Sequence, residues 1–244
     1  MPATEQAIAR TLIQLLDLTD LNEMAKASDI AAMTQKAVTP HGPVAALCVW
    51  PAWISEVRKH LRGEDVAIAT VINFPKGGED IERAVEDAQE ALRDGAHEID
   101  LVLPWQALKE GRIHDAAQMV EGVRQVVPDD CLLKVILETG MLGDDKLIRK
   151  AAQIAIIEGA DFIKTSTGKN GPGASLDAAR IMLEEIAAVD GNCGFKASGG
   201  VRTYSDAASY LALAEELLGE DWICPSTFRI GASGLLDELL IKAQ

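Results

Sequence analysis

Short apolar runs of strand length alternate with helix-period segments along the whole sequence, and this alternation constrains the fold more than any other feature. The runs are Leu15–Thr19, Val44–Trp50, Val66–Asn73, Glu98–Pro104, Cys131–Thr139, Asp161–Thr167, Gly194–Ser198 and a short Phe228–Ile230. The clearest helical pattern, Glu79–Asp94, carries Ile81, Ala84, Val85, Ala88, Ala91 and Leu92 on one face. Further patterns cover Asp144–Glu158, Ser175–Val189 and Ser205–Leu218. Ser175 and Ser205 are the expected N-caps, and Gly95, Gly159 and Gly219 the expected stops. Asp94-Gly95-Ala96 and Glu158-Gly159-Ala160 lead into two of the strands in the same way. Eight β–α units without a Pro/Gly/Ser-rich linker predict one (β/α)8 barrel over residues 1–244, with a doubly wound open sheet as the competitor. The 244 residues agree with the roughly 250 usual for such barrels. In a barrel, chemistry belongs at the C-terminal ends of the strands.

Several of these apolar strands contain charges. Lys164 lies in Phe162-Ile163-Lys164-Thr165-Ser166 and Lys196 in Phe195-Lys196-Ala197-Ser198, each with a serine two residues on along the same face. Burying an unpartnered ammonium costs several kcal/mol, so the alternatives are a salt-bridged structural lysine or an amine of lowered pKa. On adjacent strands at similar height, like-charge repulsion and desolvation both lower the pKa of one lysine. At the ordinary value of about 10.4, only about one lysine in a few thousand is free amine at pH 7. A neutral lysine attacks carbonyl carbons, the opening step of Schiff-base chemistry. Asp100 and Lys134 sit in two further apolar strands and are expected to pair, either as neutralising partners only or also as holders of a proton-relaying water. Glu138 is expected on the face of Lys134, with its role left open. Asp17 and Thr19, ending the first strand, either contact a substrate hydroxyl or cap the strand. Cys48 points inward as a core residue or as part of the site.

Three glycine-containing segments follow the last three strands: Gly168-Lys169, Gly199-Gly200-Val201-Arg202 and Gly231-Ala232-Ser233-Gly234, the last before a short helix. Glycine lets backbone N–H groups approach an anion, and a helix N-terminus adds a favourable dipole. Each segment alone is compatible with an ordinary βα turn. Two in succession after strands seven and eight predict a phosphate grip. Gly168-Lys169 lacks the earlier glycine and following Ser/Thr of a Walker A loop, and Gly171-Pro172-Gly173 lacks the third glycine of a dinucleotide fingerprint.

A net charge of −15 argues against nucleic acid or an anionic membrane as partner. No apolar run reaches the roughly 20 residues of a membrane span, and the start lacks a secretory pattern. Cys48, Cys131, Cys193 and Cys224 are scattered, and His41, His60, His97 and His114 form no pair. Neither disulfides nor a metal site is expected, and a cytoplasmic location is. Aliphatic residues near Leu235–Ile241 permit a homodimer or higher homo-oligomer without demanding one.

At these residues the sequence resembles the deoxyribose-phosphate aldolases, a family of class I aldolases. The resemblance runs from Leu16-Asp17-Leu18-Thr19 through Ala45-Ala46-Leu47-Cys48-Val49, Asn73-Phe74-Pro75, Glu98-Ile99-Asp100 and Leu133-Lys134-Val135-Ile136. It continues in Glu138-Thr139-Gly140, Phe162–Gly168, Phe195–Arg202 and Gly231-Ala232-Ser233. It implies reversible cleavage of 2-deoxy-D-ribose 5-phosphate to D-glyceraldehyde 3-phosphate and acetaldehyde, within deoxyribonucleotide catabolism and without a cofactor. By the same resemblance Lys164 is the Schiff-base lysine, Lys196 the second lysine that tunes it, and Asp100 the proton-moving carboxylate with Lys134 beside it. Thr165 falls within the substrate-binding segment. Some members also use a C-terminal tail ending in tyrosine; the sequence ends Ile241-Lys242-Ala243-Gln244, so either another group assists enamine protonation or turnover is slower than in tailed relatives. Another Schiff-base aldolase, a sugar-phosphate isomerase, or a non-catalytic phosphosugar-binding barrel are the remaining readings.

Overall fold

The computed structural model describes residues 4–61 and 63–244. Eight strands form its centre: β1 (Leu16–Asp20), β2 (Ala46–Val49), β3 (Ala67–Ile72), β4 (Glu98–Val102), β5 (Leu132–Ile136), β6 (Phe162–Lys164), β7 (Gly194–Ser198) and β8 (Phe228–Ala232). Each pairs in parallel with its neighbour in the chain, and β8 pairs with β1, so the sheet closes and the open-sheet alternative falls. The protein is a (β/α)8 barrel, as the alternation predicts. Five of the strands, β2 to β6, are shorter than the apolar runs that announced them, whereas β7 coincides with its run and β8 extends beyond it to Ala232.

Helices cover the outside, and their apolar stripes explain where they lie. Ile81–Asp94 buries Ala84, Ala88 and Ala91. Asp80 caps its start by accepting from the Arg83 N–H, and Gly95 ends it with φ 108°, a conformation in which an L side chain would clash. Asp145–Ile157 and Leu176–Ala187 follow the predicted ranges, the latter capped by Ser175 as expected. The helix Tyr204–Leu218 is capped instead by Thr203. Its hydroxyl accepts from the Asp206 N–H while Asp206 accepts from the Thr203 N–H, so Ser205 lies inside the first turn. Helices that periodicity had not singled out include Glu5–Gln14, Ala27–Lys36, Ile54–His60 and Ile113–Arg124. In the last helix, Leu235–Lys242, the aliphatic stripe turns inward: Leu235, Leu236 and Leu239 are buried and only Ile241 is largely exposed. The surface aliphatic patch expected there is therefore core. No described helix is long and apolar enough to cross a membrane.

The barrel interior is divided. Around β2 and β3 it is small and apolar, with Ala46, Cys48, Ala69 and Val71 packed beneath Leu21. Toward β4 to β8 and β1, where barrels usually hold branched aliphatics, it is ionic.

Candidate active site

Strand alternation carries seven charged side chains into that ionic half. They are Asp17 on β1, Glu98 and Asp100 on β4, Lys134 on β5, Lys164 on β6, Lys196 on β7 and Arg229 on β8. All are buried; Asp17, Asp100, Lys134 and Lys196 have no exposed surface, and Lys164 retains 4%. Register supports the arrangement, with Asp100 beside Lys134, Lys164 beside Lys196, and Arg229 beside Lys196 on adjoining strands.

Asp100 is the hub. Its Oδ1 accepts from Lys134 Nζ at 2.8 Å. Its Oδ2 accepts from both Lys164 Nζ and Lys196 Nζ, each at 2.7 Å. Lys134 also reaches Glu98 at 2.6 Å, and Lys196 reaches Asp17 at 2.5 Å. Arg229 closes the network underneath, bonding Asp17 at 2.6 Å and Glu98 at 2.9 Å while lying over the Phe162 ring. Lys164 alone among the four cations has a single carboxylate partner.

Titration follows from these contacts. Burial works against the charged form of every group here, but for Asp100 the three lysines overwhelm it and hold the carboxyl well below its ordinary range. Asp17 is held down likewise by Lys196, Arg229 and Lys134. Burial also opposes the Lys196 ammonium, but Asp100 and Asp17 outweigh it and raise its pKa. Lys134 is raised by Asp100 and Glu98. For Lys164 burial wins: one shared carboxylate cannot offset desolvation and the neighbouring Lys196 charge, and its pKa is lowered. The geometry therefore separates two lysines of like appearance in the sequence into an ammonium and a candidate amine.

Lys164 faces a cleft of about 850 Å³ at the C-terminal mouth. Thr19 lines it, together with Gly168 and Lys169 after β6, Gly199, Gly200, Val201 and Arg202 after β7, and Gly231 and Ser233 from β8 and its loop. Gly199 and Gly200 have φ 86° and 90°, and Gly200 has open space where a side chain would project. The β7 loop thus turns its bare backbone toward the cleft. The three glycine segments converge on one wall, opposite the apolar half of the barrel.

Other sequence-selected residues lie off the cleft. Lys134 and Asp17 are sealed below it, and Asp17 is an ion-pair partner rather than a cap or a hydroxyl contact. Cys48 is wholly buried beside the cluster. Thr165 turns away from the cleft: its hydroxyl donates to the Ser198 carbonyl and accepts from the Ser198 N–H, bracing β6 to β7. Gly234 precedes the last helix and does not line the cleft. Glu138 departs from the face of Lys134, because β5 ends at Ile136 and Glu138 has φ 58°. It accepts instead from Thr167 and Asn170, holding the β6 loop. Glu98 and Arg229 were missed, although a charge inside a short apolar run is the signal that marked Lys164.

Comparison with known proteins agrees with this architecture. Residues 11–236 match the family described as DeoC/LacD family aldolase. The sequence is 48% identical to a deoxyribose-phosphate aldolase of Agrobacterium fabrum (strain C58) over 237 residues, 96% of this chain and 91% of that one. A crystal structure from Coccidioides immitis, provisionally assigned as a deoxyribose-phosphate aldolase, superposes with TM-score 0.85 at 32% identity, covering 98% of this chain and 88% of that one. The tetrameric deoxyribose phosphate aldolase of Aeropyrum pernix superposes with TM-score 0.78 at 25% identity, covering 98% and 91%. The closed parallel barrel and the family match define the class, a (β/α)8 aldolase. The chain belongs to the DeoC/LacD family of aldolases.

Proposed function

We propose that the protein, taken as one domain, is a class I aldolase that reversibly cleaves 2-deoxy-D-ribose 5-phosphate to D-glyceraldehyde 3-phosphate and acetaldehyde. The observation that carries this reading is the single, shared carboxylate partner of Lys164 at the floor of the cleft. The neutral Lys164 amine adds to the C1 aldehyde and, with loss of water, forms a protonated imine. The C2–C3 bond then breaks as the C3 hydroxyl loses its proton, and its electron pair moves to C2 to give a neutral enamine. Protonation of C2 and hydrolysis of the imine release acetaldehyde. Lys196, fixed as an ammonium against Asp100 and Asp17, repels charge on Lys164 and shares a carboxylate oxygen through which protons pass. Lys134 keeps Asp100 ionised.

The substrate phosphate fits the wall formed by Gly168–Lys169, Gly199–Arg202 and Gly231–Ser233, where backbone N–H groups supply the local attraction that the protein's negative charge does not. A cytoplasmic setting accords with four free thiols. The tetrameric relative makes a homo-oligomer part of the same reading.

Incubation with acetaldehyde and borohydride tests this directly. A reduced two-carbon adduct is expected on Lys164; an unmodified Lys164 in folded protein contradicts it. Gly231→Ala provides a second test. A Cβ there would sit 2.9 Å from Ser198 Cβ and 3.0 Å from Lys196 Cε, so β7 around Ser198 and Lys196 must shift. With fold retained by circular dichroism, kcat is expected to fall roughly tenfold or more, as small displacements at reacting centres do.

A further inference from the structure

The ion pairs of the cluster form a closed set, and its charges can be counted. Lys134, Lys164, Lys196 and Arg229 face Asp17, Glu98 and Asp100, four cations against three carboxylates. With every group ionised, a buried volume that scarcely meets water would hold one uncompensated positive charge, which costs far more than losing a proton. The cheapest proton to lose is the one on the cation with fewest partners. Arg229 and Glu98 cancel one another in that count, but loss of either one alone would change it by one, although neither lines the cleft. Glu98 bridges Arg229 to Lys134, and Arg229 bridges Glu98 to Asp17.

Other titratable neighbours leave the count alone. Cys48 is kept as a thiol by burial. Burial, with Asp130 and Glu98, does the same for Cys131 at the foot of β5. Glu138 is the remaining buried carboxylate, but neutral donors hold it and no cation of the described residues pairs with it.

We propose that Glu98 and Arg229 are opposed positioning residues of the buried cluster: the Arg229 charge favours loss of the Lys164 proton, the Glu98 charge favours its retention, and their balance sets how readily Lys164 becomes a free amine. The inference rests on the Schiff-base role of Lys164 and goes beyond it, by placing control of that lysine on a pair beneath the cleft. The same count acts after the imine forms. The protonated imine restores the uncompensated charge, so flow of the C2–C3 electron pair into a neutral enamine is favoured by the whole cluster.

Charge and scaffold roles separate by the sign of their effects. Arg229→Gln leaves three cations for three carboxylates, so Lys164 retains its proton. Glu98→Gln leaves four against two and drives the proton off. Glu98→Gln with Arg229→Met restores the original excess of one. Arg229→Lys preserves the count with poorer geometry. The readout is the pH dependence of adduct formation on Lys164 with acetaldehyde and cyanoborohydride, followed by peptide mass. The acid limb is expected to move up by about one pH unit in Arg229→Gln, a tenfold loss on that limb, and down by a similar amount in Glu98→Gln. The double variant and Arg229→Lys should keep the parental limb even where their rates are lower. If Arg229→Gln does not fold, a downward shift in Glu98→Gln that the double variant reverses supports the inference. A limb that stays fixed in both single variants while rates fall, or moves the same way in both, overturns it. Absence of the Lys164 adduct in the parent protein would instead refute the aldolase mechanism itself.

Discussion

Lys164→Met is expected to lower kcat/KM by at least about 10⁴-fold while leaving the protein as stable as its parent or more so. The first part follows from the chemistry, since without the amine no imine forms and the C2–C3 bond has no electron sink. The second follows from the cluster. Methionine fills a similar volume, and its neutral side chain leaves Asp100 paired with Lys134 and Lys196. A cation that burial already disfavours is removed, so its desolvation cost disappears. Activity assays with deoxyribose 5-phosphate and thermal melts on the same preparation check both halves. Substantial residual turnover would show that another group carries the reaction, and a large fall in melting temperature would show that Lys164 serves the fold.

Asp100→Asn is expected to damage both stability and activity. Three lysines lose their common partner, leaving Lys134, Lys196 and Arg229 with only Asp17 and Glu98 as carboxylates inside the barrel. Breaking a buried ion pair from one side costs about 3–5 kcal/mol, which lowers the melting temperature of a protein this size by roughly 10 °C. Loss of the shared proton acceptor is expected to lower kcat by about 10²–10⁴-fold. The stability difference should depend on pH with a definite sign. Because the Asp100 carboxyl is held well below its ordinary range, its contribution is fully present above the unfolded value of about 3.9. It is lost as pH falls through the depressed folded value. Melts of the two proteins should therefore converge on acidification below pH 4, and a gap that persists unchanged there would argue that Asp100 acts through packing.

Such a core is costly. Ion clusters replaced by well-packed aliphatics of similar volume often gain stability, so persistence of seven buried charges in one barrel points to use rather than to holding the fold. The stability comes from elsewhere, chiefly from the continuous apolar layer between strands and outer helices.

The fold was legible because parallel strands buried on both faces read as apolar runs, and each of the eight ends in or near glycine, proline or polar residues. Helix Ile81–Asp94 was equally plain from its narrow alanine stripe. Helices such as Ala27–Lys36 and Ile113–Arg124 were passed over because shorter, mixed stripes compete with loop-like polar content. At the site, Lys164, Lys196, Asp100 and Lys134 announced themselves as charges in apolar strands. Adjacent-strand reasoning gave Asp100 with Lys134, but the contact from Asp100 on β4 to Lys196 on β7 crosses the barrel interior and has no sequence signature. The same is true of Asp17, whose partners lie more than a hundred residues away. Glu138 shows a local failure: alternation ceases where the strand does, and one residue of positive φ redirected the carboxylate to the β6 loop.

Nitrogen NMR of the lysine side chains in ¹⁵N-lysine-labelled protein, titrated from neutral to alkaline pH, examines the amine itself. One Nζ resonance, absent from the Lys164→Met variant, should titrate below the ordinary lysine value, while the resonances of Lys134 and Lys196 hold their protons beyond it. If the Lys164 nitrogen instead titrates at or above that ordinary value, the buried cluster does not produce a free amine, and the chemistry built on it fails.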